Sequence, residues 1–169
     1  MRRQRMNIVR LDIRDRGTAE EIWALQHPAY RLEAALIGVS DLPPLRDTAE
    51  SLQACGENFL GCLNDEDEIV GAVSYERERE EFCTICRLMV HPDYLRRGIG
   101  SMLLERLLSE EPQSLVWEVT AEIRNYPALA LYERFGFERQ DTLKPIPEIE
   151  MVRLVRLAVP ENGKLSSPT

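Results

Sequence analysis

The sequence predicts a mixed α/β (α+β) domain, and three observations carry that expectation. Short β-prone runs separated by charged turns fill the middle of the chain. An apolar stripe at helical spacing follows from Ile99. Beyond it come a strand-like run, a second helical stripe and two more strand-like runs. The 169 residues fall in the range of about 100–200 typical of one domain.

Residues 1–6 read as a basic, unstructured leader, 7–157 as the domain, and 158–169, with two prolines and a glycine, as a flexible tail. Asn7–Ile13 reads as a strand. Thr18 with Glu21 three residues on is a capping box, opening a helix that carries Ile22, Trp23 and Leu25. Pro28 should interrupt it and start a second piece running to about Ile37. A loop, Gly38–Leu45, leads to a helix from Thr48 to Ala54, marked by Asp47 and Glu50. Asn58–Leu63, Glu68–Tyr75 and Phe82–Val90 read as a strand meander, with Asn64–Asp67 and Glu76–Glu81 as solvated turns.

The second half is more regular. A loop, His91–Arg97, precedes a helix from Ile99 to Glu110 that Pro112 should stop. Leu115–Val119 is a strand. Pro127–Phe135 is a helix with proline at its start and Gly136 beyond its end. Phe137–Asp141 and Ile149–Leu157 complete the expected strands.

Composition narrows the function. Hydrophobic residues make up 44% of the chain, with no apolar run near the ~18 residues of a membrane span. The formal charge of −8 argues against a nucleic-acid partner, because phosphate binding needs a cationic surface. Cys83-Thr-Ile-Cys86 has the spacing of half a zinc site, but residues three apart on a strand point to opposite faces. No second such pair or nearby histidine completes a ligand set, so no metal is expected. Cys55, Cys62, Cys83 and Cys86 read as buried reduced thiols, which fits a cytoplasmic location.

Val90-His-Pro-Asp-Tyr-Leu95-Arg96-Arg97-Gly98-Ile99-Gly100-Ser101 is the informative segment. A strand ends, a basic glycine loop follows, and a helix begins at once. That order aims unpaired N–H groups and the positive helix end at one point, suited to a phosphate or pyrophosphate. Glycine at 98 and 100 would let the backbone approach the anion. The loop lacks the Gly-Lys-Ser/Thr of a P-loop and does not follow a first Rossmann strand.

Cys86–Ser101 resembles the acyl-CoA-binding motif of the GNAT N-acetyltransferase superfamily. Asn125-Tyr-Pro-Ala128-Leu-Ala-Leu-Tyr132-Glu-Arg-Phe-Gly136-Phe137 resembles that family's second motif helix. Together the two cover about residues 82–140. Leu95 departs from the usual Gln or Arg, and Val119–Asn125 is slightly longer than in many relatives. The resemblance implies a mostly antiparallel sheet of about seven strands flanked by about four helices. It also implies acetyl-CoA as co-substrate, with Met89, Val90, Leu95, Arg96, Arg97, Gly98, Ile99, Gly100, Ser101, Asn125 and Ala128 binding it. The pantetheine would lie between Phe82–Val90 and Leu115–Val119, with the Val90 amide polarising the acetyl carbonyl.

By the same resemblance Tyr132 protonates the departing thiolate. Glu118 is the first choice of base, since Leu115, Trp117 and Val119 share the other face of its strand. Glu81, Glu122 and an ordered water remain open, while His27 and His91 read as structural. The acceptor would be a primary amine on a small molecule or a protein. Trp23, Tyr30, Leu42 and Pro43 would form one wall of its site. A non-catalytic acyl-CoA-binding module of the same fold is the alternative, and monomer and homodimer both remain open.

Overall fold

The computed structural model describes residues 5–111 and 115–157. Its elements are β1 (Asn7–Leu11), α1 (Arg16–Ile37), α2 (Ala49–Gln53), β2 (Asn58–Leu63), β3 (Ile69–Arg79) and β4 (Phe82–Val90). After them come α3 (Ile99–Glu110), β5 (Val116–Glu122), α4 (Tyr126–Arg134), β6 (Glu138–Ile146) and β7 (Ile149–Arg156). Short 3₁₀ turns lie at Pro43–Arg46 and Pro92–Tyr94. The expected arrangement of about seven strands and four helices is what the described residues form. The sheet order is β1-β2-β3-β4-β5-β7-β6, antiparallel throughout except between β4 and β5.

The sheet separates two apolar layers. On one face α1 and α2 pack Ile22, Leu25, Tyr30 and Leu52 against Phe59, Ala72 and Met89. On the other, Leu103, Leu104 and Leu107 of α3 meet Leu60, Val73 and Trp117, beside Leu129 and Tyr132 of α4. Close fit fixes the positions of α3 and α4. A Cβ on Gly71 would lie 2.6 Å from Ile99, and one on Gly100 would lie 3.1 Å from Leu131.

Several elements differ from expectation for local reasons. Asp15, not Thr18, caps α1, accepting from the Thr18 amide at 2.9 Å. Pro28 does not break α1, although an interior proline costs about 3 kcal/mol. Leu25 and Gln26 before it and Tyr30, Ala34 and Ile37 after it keep one continuous buried face, so packing overrides the missing hydrogen bond. Thr48 and Ser51 form the capping box of α2, in place of Asp47 and Glu50. The Glu76–Glu81 turn contracts to Glu80 and Glu81, because the charged residues before them pair across to β4. β5 runs on to Glu122 and β6 to Ile146. Pro112, residues 1–4 of the leader and the 158–169 tail lie outside the described residues. Met6 packs against the core, and the Arg5 amide donates to Asp65.

Arg87 of β4 ties the segment after α1 to the sheet. Its guanidinium meets Glu57 at 2.9 Å, Asp47 at 2.5 Å and Gln26 at 2.8 Å, with its side chain 13% exposed. Removing one member of such a network strands buried charge, typically at a cost of about 3–5 kcal/mol. Arg87→Met is therefore expected to lower unfolding stability by about that amount in urea titration at neutral pH. A loss below about 1 kcal/mol, the range of an exposed pair, would contradict this role.

Candidate active site

Between β4 and β5 the sheet comes apart. The strands pair at Phe82↔Val116, Cys83↔Trp117 and Thr84↔Glu118, and no further. Cys86 is the extra residue of a bulge, since Ser74 faces Arg87 while Tyr75 faces Ile85. A bulge bends its strand and increases its twist, and here the divergence begins beside it. A cavity of about 410 Å³ occupies the resulting gap. Ile85–Leu88 form one wall and Val119–Glu122 the other.

Strand alternation sets which amides face that gap. His91 N–H donates to Val70 O at 2.8 Å, toward β3. Successive residues of a strand point their N–H groups to opposite sides, so the Val90 and Leu88 amides point away from β3. Of these two residues Leu88 lines the cavity and Val90 does not. Met89, a buried residue, belongs to the α1-side core.

Beyond β4 the glycine loop turns into α3. Gly98, at φ +76°, is the residue before the helix, and Arg96 is also left-handed at φ +63°. Asp15, Thr48 and Asn125 cap α1, α2 and α4 with side-chain acceptors; among the described residues none caps α3. The amides of its first turn, Ile99, Gly100 and Ser101, are thus left to a ligand or solvent. The two glycines, both expected to admit the anion, have different roles: Gly98 supplies the positive φ and Gly100 lets α4 approach. The Ile99 side chain is core, Leu95 is exposed, and Ser101 Oγ accepts from Arg134. Arg97 stacks its guanidinium 4.8 Å above the Tyr94 ring.

Tyr132, Asn125 and Ala128 of the second motif come together on the cavity wall. Tyr132 is 4% exposed, and its ring packs edge-on against Phe137. Its hydroxyl has no hydrogen-bond partner among the described residues, and burial raises its pKa above the usual tyrosine value. Asn125 accepts from the Ala128 amide through Oδ1 and donates through Nδ2 to Glu33 at 2.5 Å. Glu33 lies on α1 and lines the same cavity. The sequence gave no signal for it, because its partner is 92 positions away.

The other carboxylates are differently placed. Glu118 pairs with Arg153 at 3.6 Å and lies outside the cavity lining, as does Glu81. Glu122 lines the cavity but is occupied. It accepts from the Arg124 guanidinium at 2.9 and 3.0 Å, the Arg124 amide at 2.9 Å and the Glu150 amide at 2.7 Å. The Arg124 side chain and then the two amides hold its pKa down at about 2, against the cost of burial. Tyr30, Leu42 and Pro43 join the lining. Trp23 does not: its indole N–H donates to Asp47 O at 2.9 Å, and its ring meets His27 edge-on. His91 Nδ1 accepts from the Asp93 amide, a structural cap.

Cys62 and Cys83 are buried, as expected, whereas Cys55 is half-buried and Cys86 opens to the cavity at the bulge. Cys86 lies with Glu57 and Glu76 in a group whose ligand-type atoms fall within 4.8 Å of one another. The group is poorly suited to a cation. Glu57 already holds Arg87 and Ser74, and burial, then Glu57 and Glu76, push the Cys86 thiol up to about 12, leaving it protonated at neutral pH.

A split parallel pair, an uncapped helix start behind a glycine loop and a tyrosine in the gap form one arrangement. The sequence profile of the Acetyltransferase (GNAT) family matches residues 18–137. The chain belongs to the GNAT acetyltransferase family. A Bacillus subtilis protein, UPF0157 protein YqkA, is 38% identical over 75% of this chain and 36% of its own length. The Salmonella typhimurium ribosomal protein bS18-alanine N-acetyltransferase is 36% identical over 48% of this chain and 57% of its own. The chain thus spans between about a third and six-tenths of these curated relatives. The crystal structure of the Escherichia coli ribosomal-protein-S18-alanine N-acetyltransferase shares the GNAT fold. Its TM-score is 0.73 at 16% identity, covering 91% of this chain and 94% of that one. Among the described residues no helix is long and apolar enough to cross a membrane.

The Glu122 clamp has a pH signature. A carboxylate whose folded pKa is depressed stabilises the fold above its unfolded pKa and loses that contribution as pH falls through the folded value. With a folded value of about 2 and an unfolded one near 4.3, the loss falls between about pH 4.5 and pH 2. Glu122→Gln is expected to be less stable than the parent at pH 7 by about 2–3 kcal/mol. That difference should shrink across the same window in paired denaturant titrations. A pH-independent difference would contradict it.

Proposed function

We propose that the chain transfers an acetyl group from acetyl-CoA to a primary amine, through direct attack in the β4–β5 gap. The observation that carries this is the Tyr132 hydroxyl, without a hydrogen-bond partner among the described residues, on the wall of a cavity that the Leu88 amide also faces. Bound acetyl-CoA supplies an activated thioester; the chain's own residues do the rest. Unpaired strand edges suit an amide-bearing arm, because a strand-like ligand satisfies the open N–H and C=O groups. The gap opens only after Thr84 and Glu118, so the arm lies between Ile85–Val90 and Val119–Glu122. The α3 start, with Arg96 and Arg97 beside it, receives the pyrophosphate.

Within the cavity the Leu88 amide, in place of Val90, donates to the acetyl oxygen as negative charge builds on it. Such a fixed donor is typically worth ~3 kcal/mol in the transition state. Tyr132 gives its proton to the departing sulfur. Its high pKa keeps it protonated until that moment.

Ile37, Leu42, Pro43, Pro44, Ile149 and Met151 make the rest of the cavity apolar. That lining favours an amine beside a compact apolar group over a polycation, and the N-terminus of a peptide beginning with alanine fits it. The bacterial relatives that act on a ribosomal-protein alanine agree with this class. The alternative of an acyl-CoA sensor without turnover gives the Tyr132 hydroxyl no use.

Two measurements check the proposal. Acetyl-CoA at a hundred times its dissociation constant should stabilise the parent by ~2.7 kcal/mol, a rise in Tm of about 5–10 °C for this size. Gly98→Glu, which sets a carboxylate at the anion site, should abolish the rise. No rise in a folded parent would end both the enzyme and the sensor readings. Tyr132→Phe removes a hydroxyl without a protein partner, so its stability should stay within about 1 kcal/mol of the parent. Its kcat should fall about 10²-fold or more in a thiol-release assay; an unchanged kcat would remove Tyr132 from the chemistry.

A further inference from the structure

We propose that Glu33, on α1, is the base that takes the acceptor's proton, which makes the cavity a two-sided site spanning both faces of the sheet. The inference rests on the acetyl-transfer reading above and names the group that reading lacks. Of the three glutamates considered from sequence, Glu118 and Glu81 lie outside the cavity, and Glu122 is held by a guanidinium and two amides. Glu33 lines the cavity and has no ion-pair partner among the described residues. Asn125 Nδ2 donates to Oε1 at 2.5 Å, and among the described residues Oε2 has no partner.

The divergence of β4 from β5 is what allows this. In a closed sheet a helix on one face would not reach a helix on the other. Here the Glu33–Asn125 hydrogen bond joins α1 to the start of α4, about two turns before Tyr132. Asn125 has two jobs, capping α4 and fixing the Glu33 carboxylate, so one side chain sets the base and the acid relative to each other.

The surroundings suit an ammonium. Lining the cavity with Glu33 are Tyr30 from its own helix, Asn125 and Tyr132 from the α4 segment, Glu122 from the end of β5, and Cys86 and Arg87 from β4, while Arg124 holds Glu122 from outside the lining. Arg124 is committed to Glu122, and Arg87 to Asp47 and Glu57. The fixed cations are thus neutralised and the cavity keeps one carboxylate available. Burial raises the Glu33 pKa above the ordinary carboxylate value, Asn125 opposes that rise, and the charge on Glu122 adds to it. A base so raised is better matched to an amine's proton.

The step balances as follows. Glu33 Oε2 takes one proton from the ammonium, freeing the nitrogen lone pair. As that pair forms the C–N bond, the C–S bond breaks with its electrons going to sulfur, and Tyr132 gives sulfur its hydroxyl proton. A second proton from nitrogen returns to the Tyr132 oxygen, and Glu33 releases its own proton to solvent.

Glu33→Gln keeps an oxygen for Asn125 and removes only the base. With acetyl-CoA and a peptide beginning with alanine, kcat should fall about 10²-fold or more. The acidic limb of the pH–rate profile should vanish, while the acetyl-CoA thermal shift stays at the parent's value. Independently of turnover, ¹³C NMR should show the Glu33 carboxyl of the parent moving when n-propylamine is added. A Glu33→Gln variant with the parent's kcat and pH profile, the loss falling on Glu118→Gln instead, overturns the assignment. So does a carboxyl signal that n-propylamine leaves in place. A parent that gives no acetyl-CoA shift overturns the acetyl-transfer reading, which sets the two failures apart.

Discussion

The structure depends on one constraint: β4 and β5 begin as paired neighbours and do not remain so. Their pairing ends at Thr84↔Glu118. The Cys86 bulge starts the bend, and the segments beyond leave backbone groups facing a cavity rather than each other. Most buried backbone groups in folded proteins are paired, so a sheet opened along its centre is costly unless a ligand or water completes it. The opening also lets Glu33 of α1 meet Asn125, the cap of α4, across the sheet plane.

Holding a split sheet together falls to charge networks on either side of the gap. Arg87 ties β4 to the segment carrying Asp47 and Glu57. Glu122 gathers Arg124 and the Glu150 amide where β5 turns toward α4. The Arg87 network is largely buried, whereas Glu122 is a buried carboxylate held by an Arg124 side chain that reaches solvent; in both, the carboxylate lone pairs are largely taken, the condition under which such charges are tolerated inside a protein. The Glu33 carboxylate, with a neutral partner only, stands outside this pattern. The walls are built from satisfied ions, and of the two carboxylates lining the cavity Glu33 is the one without a cation among the described residues.

How much of this the sequence disclosed follows from how local each signal is. The α3 helix was legible to its last residue because its apolar period and glycine start lie within a dozen positions. The Asn125–Phe137 motif was legible because helical spacing fixes Ala128 and Tyr132 relative to Gly136. Pro28 misled, because long-range packing carries α1 through a residue whose local preference is to stop it. The long β3–β4 hairpin was cut short because its charged residues look like turn, yet they pair across exposed strands. Glu33 was invisible: its meaning comes from Asn125, and nothing near it in the chain marks it. The choice of Leu88 over Val90 needed the observed end of strand pairing and the extent of the cavity.

The claim that the β4–β5 gap receives the acetyl thioester is tested most directly by backbone amide NMR during titration with acetyl-CoA. The account predicts that the Leu88 amide proton moves downfield as it gains an acceptor, and that the Ile99, Gly100 and Ser101 amides shift with it. The β1 amides, at the far edge of the sheet, should hold their positions. If Leu88 and the α3 start keep their free-state shifts while acetyl-CoA perturbs residues elsewhere, the gap is not the site of transfer.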